Sequence, residues 1–138
     1  MRARYGCERV STTERNIRLK RIYDEPSPED GRRILATRYW PRGVPKSAVD
    51  EYMTKVSPSR ELLREFKHEG LTWDEYVPRF LEEMSTPEAR SAISRLANLA
   101  SSETITLMCI CPDEKRCHRS LVKKLILQAL PQSKENNP

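Results

Sequence analysis

Apolar and polar residues alternate near the start of the chain, which is the pattern of a β-strand. The stretch NIRLKRIYD alternates from Ile17 onward and is followed by EPSPEDG, a turn with two prolines and a final glycine. The next stretch, RRILATRYW, is rich in aliphatic and aromatic residues and stops at Pro41. Because proline ends a strand, we predict two strands, over residues 16–24 and 32–40.

Four segments in the middle of the chain space their apolar residues as helices do. They are SAVDEYMTKV, SPSRELLREFKHEG, the segment that begins at TWDE, and TPEARSAISRLANLA. Thr72 and Glu75 have the spacing of a capping box, and Thr86 followed by Pro87 is a typical helix start. Pro78 is expected to kink the third helix or to shift its start. The pattern predicts four helices between residues 47 and 100.

The most apolar stretch of the chain, TITLMCIC, is too short for a helix and is typical of a central strand covered on both faces. An amphipathic helix, HRSLVKKLILQAL, follows it. The order of elements predicts an α/β fold, with helices packed on a small, mainly parallel sheet. We predict a single domain over residues 16–130, between a flexible basic leader (1–15) and a flexible tail (131–138).

The length and charge of the chain limit its predicted cellular location and binding partners. The chain has 138 residues, the length of one domain, and a net charge of +5, with many basic residues in the leader. It has no run of about 18 apolar residues and no apolar segment behind the basic N-terminus. We therefore predict a cytoplasmic protein without membrane association. The leader is expected to stay solvated, with nucleic acid as the alternative partner, and no oligomeric state is predicted.

The stretch CICPDEKRCHRS contains three of the four cysteines and one of the two histidines. In a reducing compartment such cysteines are more often thiols or metal ligands than disulfides. Cys109 and Cys111 point to one face of a strand, and Cys117 follows closely enough to complete a metal or redox site. Adjacent residues of a helix diverge by about 100°, however, so Cys117 and His118 are expected to suit one metal ion poorly. We expect little bound metal and predict no cofactor.

Cys117 lies near the start of the last helix, among positive charges. Arg116, His118 and Arg119 flank it. Helix N-termini and neighbouring cations lower the pKa of a cysteine and also bind phosphate, sulfate or carboxylate. Cys117, with His118 beside it, is therefore the candidate reactive group, and the alternative is a half-buried cysteine that packs the helix on the sheet. Cys109 is expected to be nearly inert, because an apolar strand disfavours the thiolate.

The end of the second predicted strand, RYWPRG, offers a further candidate site. Arg38, Trp40 and Arg42 alternate, so their side chains share one side if the extended conformation continues through Pro41. Two arginines beside an indole suit a phosphate, a carboxylate or a nucleotide base. The alternative is a buried tryptophan with two solvated arginines.

These motifs occur in a familiar order: RIYD, DGRRILATRYWPRG, SPSRELLREF and CICPDEKRCHR. In this the chain resembles domain of unknown function family 488, especially its YeaO-like branch, from about Ile17 to Leu130. The resemblance implies an α/β fold and a site, but no established activity. The site residues it implies are Arg38, Trp40, Arg42, Gly43, Ser59, Cys109, Cys117, His118 and Arg119.

Two features qualify the resemblance. Where the family often has Glu two residues after the first cysteine of this motif, the chain has Cys111. The YeaO-like branch commonly lacks the cysteine-histidine-arginine element altogether. A catalytic thiol is therefore not expected to be common to the whole group.

Three hypotheses remain. The first is an enzyme that acts on a small anionic, phosphorylated or nucleotide-like ligand at the carboxyl ends of the strands. The second is a binding module with the same pocket and no turnover, associated with nucleic acid. The third is a metal or redox sensor that uses Cys109, Cys111 and Cys117. In the first, the anion is bound by Arg38, Trp40, Arg42, Ser59 and Arg119, and the reactive pair is Cys117 and His118. Binding and chemistry would use the same residues, so the sequence leaves open whether the protein is an enzyme.

Overall fold

The computed structural model describes residues 16–130, which fold around a sheet of four parallel strands. The strands are β1 (Ile17–Arg21), β2 (Arg32–Leu35), β3 (Glu51–Tyr52) and β4 (Ile105–Cys109), in the order β1-β4-β2-β3. The helices are α1 (Arg60–His68), α2 (Trp73–Glu83), α3 (Pro87–Ala100) and α4 (His118–Ala129). The predicted α/β class, with helices on a small parallel sheet, is confirmed. The predicted leader and tail lie outside the described residues.

The sheet is built around β4, the most apolar strand. All five residues of β4 are buried. It pairs with β1 on one side, where Ile17 lies opposite Ile105, and with β2 on the other, where Ile34 lies opposite Leu107. A central strand of a parallel sheet needs apolar side chains on both sides, because both faces of the sheet are covered there.

The two faces of the sheet differ. One face carries Ile17, Ile34 and Leu107, which join a large apolar core to which all four helices contribute. The opposite face carries only a small apolar cluster of Ile22, Leu35 and Met108. The helices therefore lie together on one side, and the chain segments between strands cover the other.

A buried carboxylate organises the helix-free face. Asp30 is fully buried and accepts hydrogen bonds from Lys20 Nζ at 3.0 Å, from Arg33 Nη1 and from the Ser27 amide. Burial raises the pKa of Asp30, but the hydrogen bonds from Ser27, Lys20 and Arg33 outweigh it, so the pKa is lowered from its ordinary value. Thr106 Oγ1, on β4, donates to the Asp30 carbonyl at 2.6 Å. These contacts fasten the loop before β2 to the sheet.

The predicted helix at SAVDEYMTKV is wrong. This segment forms two single 3₁₀ turns, Lys46–Ala48 and Thr54–Val56, with the edge strand β3 between them. Its backbone pairs with β2, since the Asp50 amide donates to the Arg33 carbonyl and the Met53 amide to the Leu35 carbonyl, each at 2.8 Å. Tertiary pairing at an open sheet edge has overridden a helical pattern of apolar residues.

The other predicted helices form, and their caps explain where they begin. Thr72 and Glu75 make the predicted capping box at the start of α2, and Thr86 accepts a hydrogen bond from the Ala89 amide at the start of α3. Pro78 lies inside α2 and does not shift its start. Within the described residues, no helix combines the length and apolar character that crossing a membrane requires.

Candidate active site

A small pocket of about 70 Å³ opens at the carboxyl ends of β2 and β4, beside the first turn of α4. This is the edge of the sheet where the sequence predicts a site. Cys109 ends β4, and Cys117 is the N-cap residue of α4, so strand and helix bring two thiols to one wall. The pocket is lined by Thr37, Arg38, Tyr39, Pro58, Leu63, Phe66, Lys67, Tyr76, Cys109, Ile110, Cys111, Arg116, Cys117 and His118.

Cys117 and His118 meet, although sequence reasoning expects them to diverge. Cys117 has extended backbone angles, with φ of −139° and ψ of 149°, because it precedes the helix and does not belong to it. The divergence of about 100° between helical neighbours therefore does not apply. The Cys117 Sγ lies 3.6 Å from the His118 Nδ1. The two side chains form a thiol–imidazole pair.

The tautomer of His118 follows from its second contact. Its Nε2 lies 2.5 Å from the Ala36 carbonyl oxygen, which only accepts hydrogen bonds. Nε2 therefore carries a proton, and in the neutral ring Nδ1 is left with a free lone pair toward Cys117. The ring also packs against Phe80, at 5.8 Å between centroids. His118 is thus held in position to accept the thiol proton or to bind a metal ion.

Arg119 lies beneath the thiols and is 1% exposed. Its Nε donates to the Cys117 Sγ at 3.4 Å, and its Nη2 donates to the Cys111 carbonyl at 2.7 Å. Within residues 16–130, no carboxylate pairs with this guanidinium. A buried positive charge requires a negative partner, and the sulfur of Cys117 is the ionisable group in contact with it.

The three thiols have different acidities. The hydrogen bond from Cys117 lowers the pKa of Cys109 to about 7, against the opposing effect of burial. For Cys117, contact with Cys109 raises the pKa, but the contacts with Cys111 and His118 outweigh it, so the pKa is lowered. The pKa of Cys111 is raised well above its ordinary value by its contact with Cys117 and by burial. Cys109 and Cys117 thus favour a thiolate. For Cys109 the effect of the apolar strand is outweighed by the contact with Cys117, and its low reactivity stays a prediction.

Of the RYWPRG residues, Tyr39 and Arg38 line this pocket, and among the three predicted ligand residues of this motif only Arg38 does. Its Nε donates to the Pro58 carbonyl at 2.9 Å. Trp40 is 37% exposed and donates from Nε1 to the Val44 carbonyl, while Arg42 is exposed and contributes its carbonyl to Tyr23. The strand β2 ends at Leu35, so the extended alternation that would align these side chains does not occur.

Ser59 serves the fold at some distance from the thiols. Its Oγ accepts from the Leu62 amide at 3.2 Å, which caps α1, and donates to Glu83 Oε2 at 2.5 Å. It lines a separate shallow depression, together with Arg38 and Glu83. The predicted anion-binding residues are therefore not gathered in one place: Arg38 and Arg119 lie near the thiols, and Trp40, Arg42 and Ser59 do not.

Lys67 and Tyr76 are among the pocket residues that sequence reasoning missed. Tyr76 belongs to an apolar helix stripe and is indistinguishable in sequence from a core residue. Lys67 is one of many surface lysines, and only the folding of α1 over the strand ends brings it to the rim. With Arg38 and Arg116 it gives a rim of three cations, and no Asp or Glu is among the lining residues.

The comparisons with known proteins agree with the motifs. A family model described as "Active DUF488-N3 subclade" matches residues 17–130. The chain belongs to this family. Among its relatives, "Uncharacterized protein YeaO" of Escherichia coli (strain K12) is 37% identical over 95 residues, which are 67% of this chain and 81% of that protein. The resemblance to family 488 and its YeaO-like branch is thereby confirmed.

Mycobacterial relatives match over a longer stretch at lower identity. "Uncharacterized protein Mb3100c" of Mycobacterium bovis and "Uncharacterized protein Rv3073c" of Mycobacterium tuberculosis are each 29% identical over 115 residues, 82% of this chain and 95% of theirs. No solved structure matches the chain. The comparisons therefore give family membership, and the chemistry has to be argued from the pocket.

Proposed function

We propose that the pocket is a thiol-dependent active site for a small anionic ligand of the phosphate or nucleotide type. In this proposal Cys117 is the nucleophile, His118 accepts its proton, and Arg119 stabilises the thiolate. The description of the matching subclade as active is in keeping with a site that performs chemistry.

The observation that carries the proposal is the isolation of Arg119. A guanidinium that is 1% exposed, with a carbonyl and a sulfur as its hydrogen-bond acceptors, favours the anionic form of that sulfur. Arg is not deprotonated in proteins, so the thiol is the partner whose charge adapts. A purely structural cysteine would not require such a neighbour.

The anionic character of the ligand is supported by the rim. Arg38, Lys67 and Arg116 line the pocket without an accompanying carboxylate. The first turn of α4 is adjacent, and its N-cap residue, Cys117, makes no side-chain capping bond. Free amides at a helix N-terminus and nearby cations favour anions.

The chemical step would begin with the sulfur lone pair. It would form a bond to an electrophilic atom of the ligand, and the leaving group would depart with the electrons of the broken bond. Water would then add its hydroxyl to that atom while its remaining proton passes to His118, and the sulfur would leave again as thiolate. The Cys117 proton, taken by His118, is available to the leaving group.

Alkylation rates test the proposal, with Cys7→Ser as the background so that the thiol outside the described residues does not contribute. Iodoacetamide and iodoacetate both transfer a carbon to sulfur with loss of iodide, and only the second carries a carboxylate. We expect labelling at pH 7 to be selective for Cys117, and the ratio of iodoacetate to iodoacetamide rates to exceed that of free glutathione. Inorganic phosphate should protect. Equal ratios, or no protection, would contradict the proposal.

Metal binding is the second candidate, and one observation favours it. The ligand atoms of Cys109, Cys117 and His118 all lie within 4.8 Å of one another. The 3.6 Å between Cys117 Sγ and His118 Nδ1 equals the ligand separation of about 3.6 Å in a tetrahedral zinc site with bonds of roughly 2.3 and 2.0–2.1 Å. The buried cation Arg119 opposes a further positive charge, so we rank this candidate second.

Elemental analysis separates the two candidates. Purified protein should contain zinc or iron well below one equivalent per chain. One equivalent that disappears in a Cys109→Ser, Cys117→Ser double variant would reverse the ranking.

A further inference from the structure

Tyr76 is a buried tyrosine on the wall of the thiol pocket. It is 2% exposed and comes from the second turn of α2. Its ring is stacked between Trp73, at 5.2 Å, and Phe80, at 5.8 Å, with Phe66 at 4.6 Å on a tilted approach. A ring held by three aromatic neighbours keeps its hydroxyl in a fixed position.

Within the described part of the chain the Tyr76 hydroxyl has no protein hydrogen-bond partner, and it is not one of the fully enclosed polar atoms, which indicates that it is open to the pocket that Tyr76 lines. Other tyrosine hydroxyls have partners: Tyr23 donates to the Arg42 carbonyl at 3.0 Å and Tyr52 to the Arg38 carbonyl at 3.1 Å. Buried phenols ordinarily find a partner, because leaving one unsatisfied is costly. An unpartnered donor in the wall of a pocket points to a ligand as its partner.

The state of this hydroxyl is also defined. Burial raises the pKa of Tyr76 above its ordinary value, and negative charge on Cys117 and Cys109 raises it further. The phenol therefore remains protonated and is able to donate. Tyr76, Cys109 and Cys117 also line the same pocket.

We infer that Tyr76 donates a hydrogen bond to an oxygen of the anion that binds beside Cys117, and so positions the ligand against the sulfur. This inference rests on the proposed function and narrows its ligand to an oxyanion of the phosphate, sulfate or carboxylate class. The remaining groups around this point are suited to the same ligand: the first-turn amides of α4, and the cations Lys67 and Arg116, all donate. The helix N-terminus and the phenol are independent hydrogen-bond donors, and an oxyanion would accept from both.

The test measures how much inorganic phosphate is needed to halve the iodoacetamide labelling of Cys117. Each full-length variant in the Cys7→Ser background is compared with its own rate without phosphate. In Tyr76→Phe the half-protecting concentration should rise about tenfold, the effect of one hydrogen bond to a charged acceptor. Tyr23→Phe, which removes a hydroxyl outside the pocket, should leave that concentration unchanged.

The stability of Tyr76→Phe is a second measurement. If the hydroxyl had a structural role, its removal would lower the stability of the protein. Because the hydroxyl has no protein partner, Tyr76→Phe should unfold in urea at the same or a higher midpoint than its parent. An unchanged half-protecting concentration, or a clearly lower midpoint, would overturn the inference. If phosphate fails to protect even the parent protein, the proposed function itself fails, and the two failures are thus distinguished.

Discussion

Arg33 and Arg119 are both buried arginines, but they are neutralised in different ways. Arg33, on the helix-free face of the sheet, pairs with the carboxylate of Asp30, and Lys20 donates to the same group. Arg119, under the pocket, contacts the Cys117 sulfur and a backbone carbonyl. The first positive charge is compensated at any pH above the titration of a carboxylate. The second is compensated only while a thiol is ionised.

This difference in counter-charge distinguishes a cluster that stabilises the fold from a cluster that supports chemistry. A buried ion pair with a carboxylate has a fixed charge near neutral pH and fastens two segments together. A buried arginine beside a thiol has a thiolate as its counter-charge, and a thiolate also reacts with electrophiles. We therefore assign the Asp30 cluster to stability and the Arg119 cluster to function, and substitutions in the two clusters should have different consequences.

The largest effect is expected from Asp30→Asn. It leaves Arg33 buried without its counter-charge, so the free energy of unfolding in urea should fall by about 3–5 kcal/mol. Because the folded pKa of Asp30 is lowered, its stabilisation is fully present above the ordinary carboxyl pKa and is lost as the pH falls through the folded value. Glu103→Gln is the matched control: it removes the half-exposed partner of Arg32 and should cost less than about 1 kcal/mol. Equal losses in both variants would contradict the assignment.

Arg119→Met should affect reactivity more than stability. Methionine fills a similar volume without charge, so the Cys117 thiol should become less acidic and its alkylation at pH 7 should slow by about tenfold, one pKa unit. At a pH below the titration of the thiols, the variant should be at least as stable as its parent, since an uncompensated buried cation has been removed. Arg90→Met, an exposed change on α3, should alter neither property. A loss of stability like that of Asp30→Asn would make Arg119 structural.

A smaller effect is expected in the pH dependence of stability. The pKa of Cys109 is lowered in the folded protein to about 7, so its thiolate contributes stability that is fully present above the unfolded pKa and is lost as the pH falls through 7. Between pH 7 and 8.5 the free energy of unfolding should rise by about 1 kcal/mol more in the parent than in Cys109→Ser. Parallel pH profiles from urea unfolding would show that Cys109 has an ordinary pKa.

The smallest effect on stability should come from deleting residues 1–15. The sequence predicts a solvated leader, so the unfolding free energy should not change when it is deleted. Any binding of the parent to nucleic acid should be weak and steeply salt-dependent, and should disappear with the leader. Tight binding that survives the deletion would place the interface on the folded domain.

The fold was largely predictable because its signals are local. The unbroken apolar stretch of β4 identifies a central strand, and the caps at Thr72 and Thr86 fix two helix starts. β3 escaped prediction because it is a two-residue edge strand that depends on hydrogen bonds to β2. The spacing of apolar residues within a segment does not show that the segment will pair with the edge of a sheet formed by other parts of the chain.

The site was predictable only in part. The crowding of cysteines and cations at 109–119 locates it. The meeting of Cys117 with His118 depends on a single extended residue before α4, and the role of Tyr76 depends on α2 packing over the strand ends. Conversely, Arg42 and Ser59 look like ligands in sequence, but in the fold one is exposed away from the pocket and the other caps a helix.

The central claim is that Arg119 is neutralised by a thiolate at neutral pH, and the ultraviolet absorbance of thiolates tests it most directly. Absorbance is titrated from pH 5 to 10 in the folded Cys7→Ser protein, in Arg119→Met and in Cys117→Ser. We predict that thiolate appears in the parent below the ordinary thiol pKa of about 8.5, and that the midpoint moves upward in both variants. A parent protein without thiolate below pH 8.5, or a titration that Arg119→Met leaves unchanged, would contradict the claim.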